Sequence, residues 1–174
     1  MGRLIFITGG ARSGKSSFGL NLAKSIKKRK LFIATCAPED EEMKKRVTLH
    51  RQNRPSSWRT IEEKRELLSI LKKETKSDVV IIIDCLTLFI SSLLMARQKE
   101  NAIKNEIERI VKVIKQGKAT VIIISNELGL DLVPENKLGR SFRDIAGLCN
   151  QIVAASAKEV YFMVSGIPIK IKSR

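Results

Sequence analysis

Histidine occurs once in this chain of 174 residues, and tryptophan and tyrosine once each. So few aromatics exclude a platform on which nucleic-acid bases stack, because no rings are interleaved with the basic residues. Cysteine is sparse too. Cys36, Cys85 and Cys149 are odd in number, widely separated, and lack CxxC spacing or a histidine nearby in sequence. That excludes a disulfide framework and leaves three reduced, mostly buried thiols as the expectation. It also suggests no metal site beyond one that comes with a nucleotide. Long apolar runs are missing: Val79–Ile83 and Leu86–Met95 are interrupted by Asp84, well short of the roughly 18 residues a membrane-spanning helix needs. Met1 leads straight into an apolar strand and a glycine loop, which is not the anatomy of a secretory signal. Phe6 stands where a myristoylation motif wants Ser or Thr. A cytoplasmic protein is expected.

Acidic residues are also in short supply. Lys and Arg number 33 against 18 Asp and Glu, a net charge of +15. Such a surplus points to an anionic partner, either nucleic acid or a polyphosphate substrate. The lack of an aromatic platform and of a recognisable reading helix weighs against nucleic acid, and no nucleic-acid partner is expected. The lysines of Lys24–Lys30 and Lys99–Lys118 fit solvated helix faces. With 43% hydrophobic and 29% charged residues, the composition is that of a soluble globular protein, and the length suits one domain over residues 1–174.

The chain alternates apolar runs with helical periodicity. Leu4–Ile7 ends in Thr8-Gly9-Gly10 and reads as a buried strand. Ser16–Lys28 carries Phe18, Leu22, Ala23 and Ile26 at helical spacing. Leu31–Thr35 is a second strand. Acids at Glu39–Glu42 open a helix that Pro55 stops. Trp58–Ile61 reads as a short strand and Glu62–Lys73 as a helix. Val79–Asp84 is the most apolar strand. Leu86–Met95 and Asn101–Lys115 read as helices, Ala119–Ser125 as a buried strand, Glu127–Asn136 as a loop and Leu138–Ala157 as a helix. Val160–Val164 and Ile167–Ile171 are final short strands. Strands that are apolar on both faces and alternate with helices predict an α/β fold with a mostly parallel sheet covered by helices.

Gly9-Gly10-Ala11-Arg12-Ser13-Gly14-Lys15-Ser16 matches the phosphate-loop pattern GxxxxGK[ST] at every fixed position, between a strand and a helix as the motif requires. Small residues let backbone N–H groups turn toward phosphate oxygens, and the helix N-terminus adds partial positive charge. Lys15 reaches β- and γ-phosphates, and the Ser16 hydroxyl is a Mg²⁺ ligand. Asp84, at the tip of a buried strand, is the expected partner of that Mg²⁺; the competing reading makes it an N-cap for the helix that follows. A nucleoside triphosphate enzyme follows from this, with no acceptor named.

The lone histidine lies in "RVTLHRQNR", residues 46–54. If Glu39–Arg54 is helical, Arg46, His50 and Arg54 share one stripe, with Arg51 beside it. The arginines favour a neutral imidazole. A neutral imidazole among cations is placed to attack a phosphorus atom and form a phosphoramidate. Spacing alone leaves a second reading open: a solvated basic helix with an incidental histidine.

Four stretches settle the comparison. "GGARSGKS", "ATCAPEDEEMKKRVTLHRQNRPSSWRTIEE", "IIIDCLTLFISSLL" and "SNELGLDLVPENKLGRSFRDIAGLCNQIVAASAKEVYFMVSGIPIKIK" together resemble the bifunctional adenosylcobinamide kinase / adenosylcobinamide-phosphate guanylyltransferase family of cobalamin biosynthesis. The resemblance runs from Ile5 to Lys172. It implies phosphorylation of the aminopropanol hydroxyl of adenosylcobinamide, then transfer of GMP from GTP to that phosphate through a GMP–histidine intermediate at His50. The substrates would be GTP and ATP, adenosylcobinamide and its phosphate, with Mg²⁺ as cofactor. By position, Gly9, Gly10, Ala11, Arg12, Ser13, Gly14, Lys15 and Ser16 would bind nucleotide phosphates. Ala34, Thr35 and Cys36 would approach the nucleotide. Arg51, Gln52, Asn53 and Arg54 would line the site beside His50, Glu62 would contact guanine or ribose, and Asp84 would serve metal or nucleotide. The resemblance further implies a single phosphate-loop NTPase domain of the RecA-like branch, assembled as a homotrimer. Cys36, Phe89, Ser92 and Lys158 depart from the family pattern, where Ala, Trp, Asn and Asp are usual. Other readings left open are a guanylyltransferase with weak or absent kinase activity and a plain phosphate-loop kinase of a small metabolite.

Overall fold

A computed structural model of the chain describes residues 1–35, 55 and 57–173. Cys36, His50, Arg51, Gln52, Asn53 and Arg54, and the helix expected over Glu39–Arg54, lie outside the described residues.

Seven strands form one sheet: β1 (Arg3–Gly9), β2 (Arg29–Ala34), β3 (Arg59–Glu62), β4 (Val79–Asp84), β5 (Thr120–Ile124), β6 (Glu159–Val164) and β7 (Ile167–Ser173). The described helices are α1 (Lys15–Ser25), α2 (Leu67–Glu74), α3 (Leu86–Met95), α4 (Glu100–Gln116) and α5 (Lys137–Ser156). The strand order is β3-β2-β4-β5-β1-β6-β7. All neighbours are parallel except β6 and β7, an antiparallel hairpin at one edge. A parallel sheet must be covered on both faces, and the apolar runs supply both. Leu4, Phe6, Ile81, Ile83, Val121 and Ile123 pack against α2–α5 on one side. Ile5, Ile7, Val80, Ile82, Ile122 and Ile124 pack with Leu20 and Ala23 of α1 on the other.

The boundary that moves is at Glu62. The expected helix from Glu62 to Lys73 starts only at Leu67, and Glu62 is the last residue of β3. The intervening turn is held by Glu63, whose carboxylate accepts the N–H groups of Arg65 and Glu66 at 2.8 and 3.0 Å. This local side-chain turn competes with helix, and the periodicity of the apolar residues does not report it.

Two departures from the family pattern have plain structural places. Phe89 is fully buried against the sheet. Ser92 ties α3 to the turn before α2, its hydroxyl lying 2.6 Å from the Lys64 carbonyl and 2.7 Å from that of Phe89.

Candidate active site

The sheet register sets the site. Ala34 pairs with Glu62 on one side and Asp84 on the other, Asp84 pairs with Ile124, and Ile124 pairs with Ile7. Glu62, Ala34, Asp84 and the start of the phosphate loop therefore stand in one row at the C-terminal edge of the strands. This is where open α/β sheets bind ligands, in the crevice outside the carboxyl ends of the strands.

The phosphate loop joins β1 to α1. Gly14 is the N-cap of α1 with φ 91°, a left-handed conformation that no side chain there would adopt without strain. A Cβ on Gly14 would also lie 3.1 Å from the Cα of Gly166 in the β6–β7 turn, and that glycine's N–H donates to the Ser13 carbonyl at 3.0 Å. Gly9 is at φ 150°, and a Cβ there would meet the Met163 carbonyl oxygen at 2.5 Å. The loop is thus wedged between α1 and the hairpin, with its curvature dictated by backbone contacts. Gly10, Ala11 and Arg12 are exposed at its crest.

Lys15 is 7% exposed. Its ammonium donates to the Gly10 carbonyl at 2.5 Å and to Ser13 Oγ at 3.3 Å, which turns the charge into the loop. Burial lowers its pKa below the ordinary lysine value, and the side chains of Cys85 and Asp84 oppose that shift. Lys15 and Asp84 therefore sense each other electrostatically, although β5 separates their strands.

Asp84 ends β4, and the N-cap of α3 is Cys85, with no side-chain cap. The capping alternative for Asp84 does not describe this helix. Ser16, in the first turn of α1, is half-buried. A hydroxyl and a carboxylate are both oxygen donors, the kind a hard cation such as Mg²⁺ takes, so the residues present fit that ion. Among the described residues no group of three or more His, Cys, Asp or Glu could hold a metal by itself.

Thr35 closes the space between β2 and β4. Its hydroxyl donates to the Cys85 carbonyl at 2.6 Å, and its N–H to the Asp84 carbonyl at 3.2 Å. Cys85 and Cys149 are free and buried, and burial pushes both thiols up to about 12, with the Asp84 charge adding to the effect at Cys85. At neutral pH neither is a thiolate nucleophile.

The structure does not bring all the candidates together. Glu62 sits four strand spacings from the phosphate loop, about 19 Å at the usual interstrand distance. It belongs with Ala34 and Thr35, at the end of the row formed by β2 and β3. The row has a phosphate-loop end and a β2–β3 end.

A polar network behind the loop escapes composition and spacing. Thr87 Oγ1 and Ser125 Oγ lie 3.0 Å apart, and the Asn126 N–H donates to Thr87 Oγ1 at 2.7 Å. Asn150 Nδ2 donates to the Asn126 carbonyl at 3.0 Å, and the Glu127 N–H to the Gly9 carbonyl at 3.0 Å. These bonds clamp the segment after β5 to the phosphate loop. Among the described residues Thr8 Oγ1 and Asn150 Oδ1 are buried without a partner. The only advance signal was the "SNE…NQ" block, whose residues lie 24 positions apart in sequence.

A family model for cobinamide kinase / cobinamide phosphate guanyltransferase matches residues 5–171. The chain is 40% identical over 181 residues to the bifunctional adenosylcobalamin biosynthesis protein CobU of Salmonella typhimurium, spanning 97% of this chain and 99% of that one. It is 36% identical to the bifunctional adenosylcobalamin biosynthesis protein CobP of Pseudomonas aeruginosa, over 95% of each. In fold it is similar to the ATPase EscN of an enteropathogenic E. coli type III secretion system, with TM-score 0.59 and 12% identity over 94% of this chain and 43% of that one. The ATP synthase subunit NeqB of Nanoarcheaum equitans gives TM-score 0.58 and 15% identity over 92% and 46%.

Proposed function

Since the chain belongs to the cobinamide kinase / cobinamide phosphate guanyltransferase family, we propose that its phosphate loop positions the nucleoside triphosphate and that His50 carries GMP between GTP and the corrinoid phosphate. The enzyme is a kinase and guanylyltransferase of adenosylcobalamin biosynthesis. The observation that carries the residue assignment is the buried Lys15, turned into its own loop in the same electrostatic field as Asp84.

In the kinase reaction the aminopropanol hydroxyl oxygen of adenosylcobinamide attacks the γ-phosphorus of ATP or GTP. The bond from that phosphorus to the β-phosphate oxygen breaks, the nucleoside diphosphate leaves, and the hydroxyl proton passes to solvent. The Lys15 ammonium exchanges its Gly10 carbonyl for β- and γ-phosphate oxygens, and the amides of Gly10–Ser16 face the same oxygens. Ser16 and Asp84 would hold Mg²⁺, which when bound would supply charge neutralisation on the triphosphate.

In guanylyl transfer the neutral imidazole of His50 attacks the α-phosphorus of GTP. A phosphorus–nitrogen bond forms, the bond to the β-phosphate oxygen breaks, and pyrophosphate leaves. A phosphate oxygen of adenosylcobinamide phosphate then displaces the imidazole, giving adenosyl-GDP-cobinamide and restoring His50. Arg51, Gln52, Asn53 and Arg54 line the nucleotide beside His50, Cys36 approaches it with Ala34 and Thr35, and Glu62 contacts guanine or ribose at the β2–β3 end. We place the enzyme in the cytoplasm as a homotrimer that binds no nucleic acid and does not span a membrane; no described helix is long and apolar enough to cross one.

The test is incubation with Mg²⁺ and GTP labelled at the α-phosphate, beside His50→Ala. Acid-labile, alkali-stable label on the wild type alone is expected. A folded, GTP-binding wild type that takes up no label would sink the covalent mechanism.

A further inference from the structure

The loop after β5 displays aliphatic side chains to solvent at the edge where the phosphates bind. Leu130 is 79% exposed, Leu132 89%, Val133 63% and Leu138, at the start of α5, 54%. Scattered exposed aliphatics are ordinary, but four within nine positions, three on one loop and one in the first turn of α5, are the kind of concentration that marks a binding surface.

The loop has a defined shape. The Gly129 N–H donates to Glu127 Oε1 at 2.9 Å and the Leu132 N–H to Asp131 Oδ1 at 2.9 Å. At its far end Asn136 Oδ1 accepts the Gly139 N–H at 2.7 Å, and Arg140 Nη1 donates to the Pro134 and Glu135 carbonyls at 3.1 and 2.5 Å. Its near end is bonded to the phosphate loop through Glu127 and Gly9, and to α5 through Asn126 and Asn150. The loop spends its polar groups on holding itself in place and leaves its aliphatic side chains outward.

We infer that Leu130, Leu132 and Val133 form the docking surface for the corrin ring of the acceptor. The inference rests on the cobinamide reading above and names the part of the chain that holds that substrate. Two constraints select this occupant over another apolar partner. The acceptor hydroxyl must reach the γ-phosphate, so the body of the acceptor has to cover the C-terminal edge of the strands next to the phosphate loop. A corrin ring offers a wide face studded with methyl groups, and burying it needs an apolar counterpart of comparable width. This loop is bonded to the phosphate loop through the Glu127 N–H and the Gly9 carbonyl, and it exposes Leu130, Leu132 and Val133. A surface already shaped before binding loses little entropy when it engages its ligand.

The test uses the full-length triple variant Leu130→Ser/Leu132→Ser/Val133→Ser. Binding of cobinamide is read by equilibrium filtration through its visible absorbance, GTP binding is titrated separately, and the solution mass is measured. Cobinamide Kd should rise at least about tenfold, since apolar area leaves the contact at three positions, with GTP Kd and mass unchanged. Leu132→Ser alone, at the most exposed position, should raise it about threefold and protects the result should the triple variant fold poorly. Cobinamide affinity within twofold of wild type in both variants would overturn the inference. So would a drop in mass relative to wild type, which would make the loop a contact between copies of the chain. Wild type that binds GTP but no corrinoid would remove the functional reading itself, and this inference with it.

Discussion

At the scale of single residues, Lys15 is the clearest case of chemistry imposed by position. Its stem is buried, its charge is held by a carbonyl and a hydroxyl, and burial disfavours that charge. A triphosphate is a better partner than either. Lys15→Ala should therefore keep the fold and lose about 10²- to 10³-fold in kcat for γ-phosphoryl transfer, the usual loss when one preorganised donor is removed; steady-state kinetics beside a thermal melt check this. Lys15→Arg should not rescue it, because a planar fork does not fit where a point charge sits. Gly14 carries the other residue-scale prediction. At φ 91°, with an added Cβ 3.1 Å from the Gly166 Cα, Gly14→Ala should cost about 1–2 kcal/mol in strain alone, read as a lower melting temperature together with weaker GTP binding. Both positions were legible in the sequence, because the phosphate-loop spacing encodes a backbone requirement. Asn126, Thr87 and Asn150 were not, since each acts through a main-chain or hydroxyl contact to a residue remote in sequence.

At the scale of elements, the strands were legible as apolar runs, and their neighbours were not. β1 lies between β5 and β6, and β4 between β2 and β5, an order that no local pattern states. That order brings Glu159 of β6 between Arg3 of β1 and Lys170 of β7. Burial by itself would raise the Glu159 carboxyl. Hydrogen bonds from Lys170, Tyr161 and Arg3 outweigh it and hold the pKa at about 2, below the ordinary 4.5. Because the folded value is depressed, the stabilisation is fully present above about pH 4.5 and is lost as pH falls toward 2. Glu159→Gln should destabilise the protein by on the order of 2 kcal/mol at pH 7. Denaturant melts at a series of pH values should show the two proteins converging near pH 2, and a gap independent of pH would refute the linkage. The helix expected from Glu62, which starts only at Leu67, belongs to this scale too: Glu63 satisfies the amides that a helix would otherwise claim.

At the scale of the whole molecule, we expect sedimentation to give three times the chain mass of 19.5 kDa; a monomer at micromolar concentration would remove the trimer. The charge of +15 identifies no partner by itself, since Coulombic attraction acts on any polyanion. By itself the sequence determined the phosphate loop, the strand carrying Asp84, the fold class and, through the block around His50 and the block from Ser125 to Gln151, the family. Each of these depends on spacing along the chain, and spacing is what a sequence records. The tertiary structure alone decided that Glu62 stands with Ala34 at one end of a row and Lys15 at the other. It alone decided that Asn150 reaches back to Asn126, and that the aliphatic side chains of residues 130–133 face outward beside the phosphate loop. These follow from strand order and register, which result from burying both faces of one sheet at once and are written in no single segment.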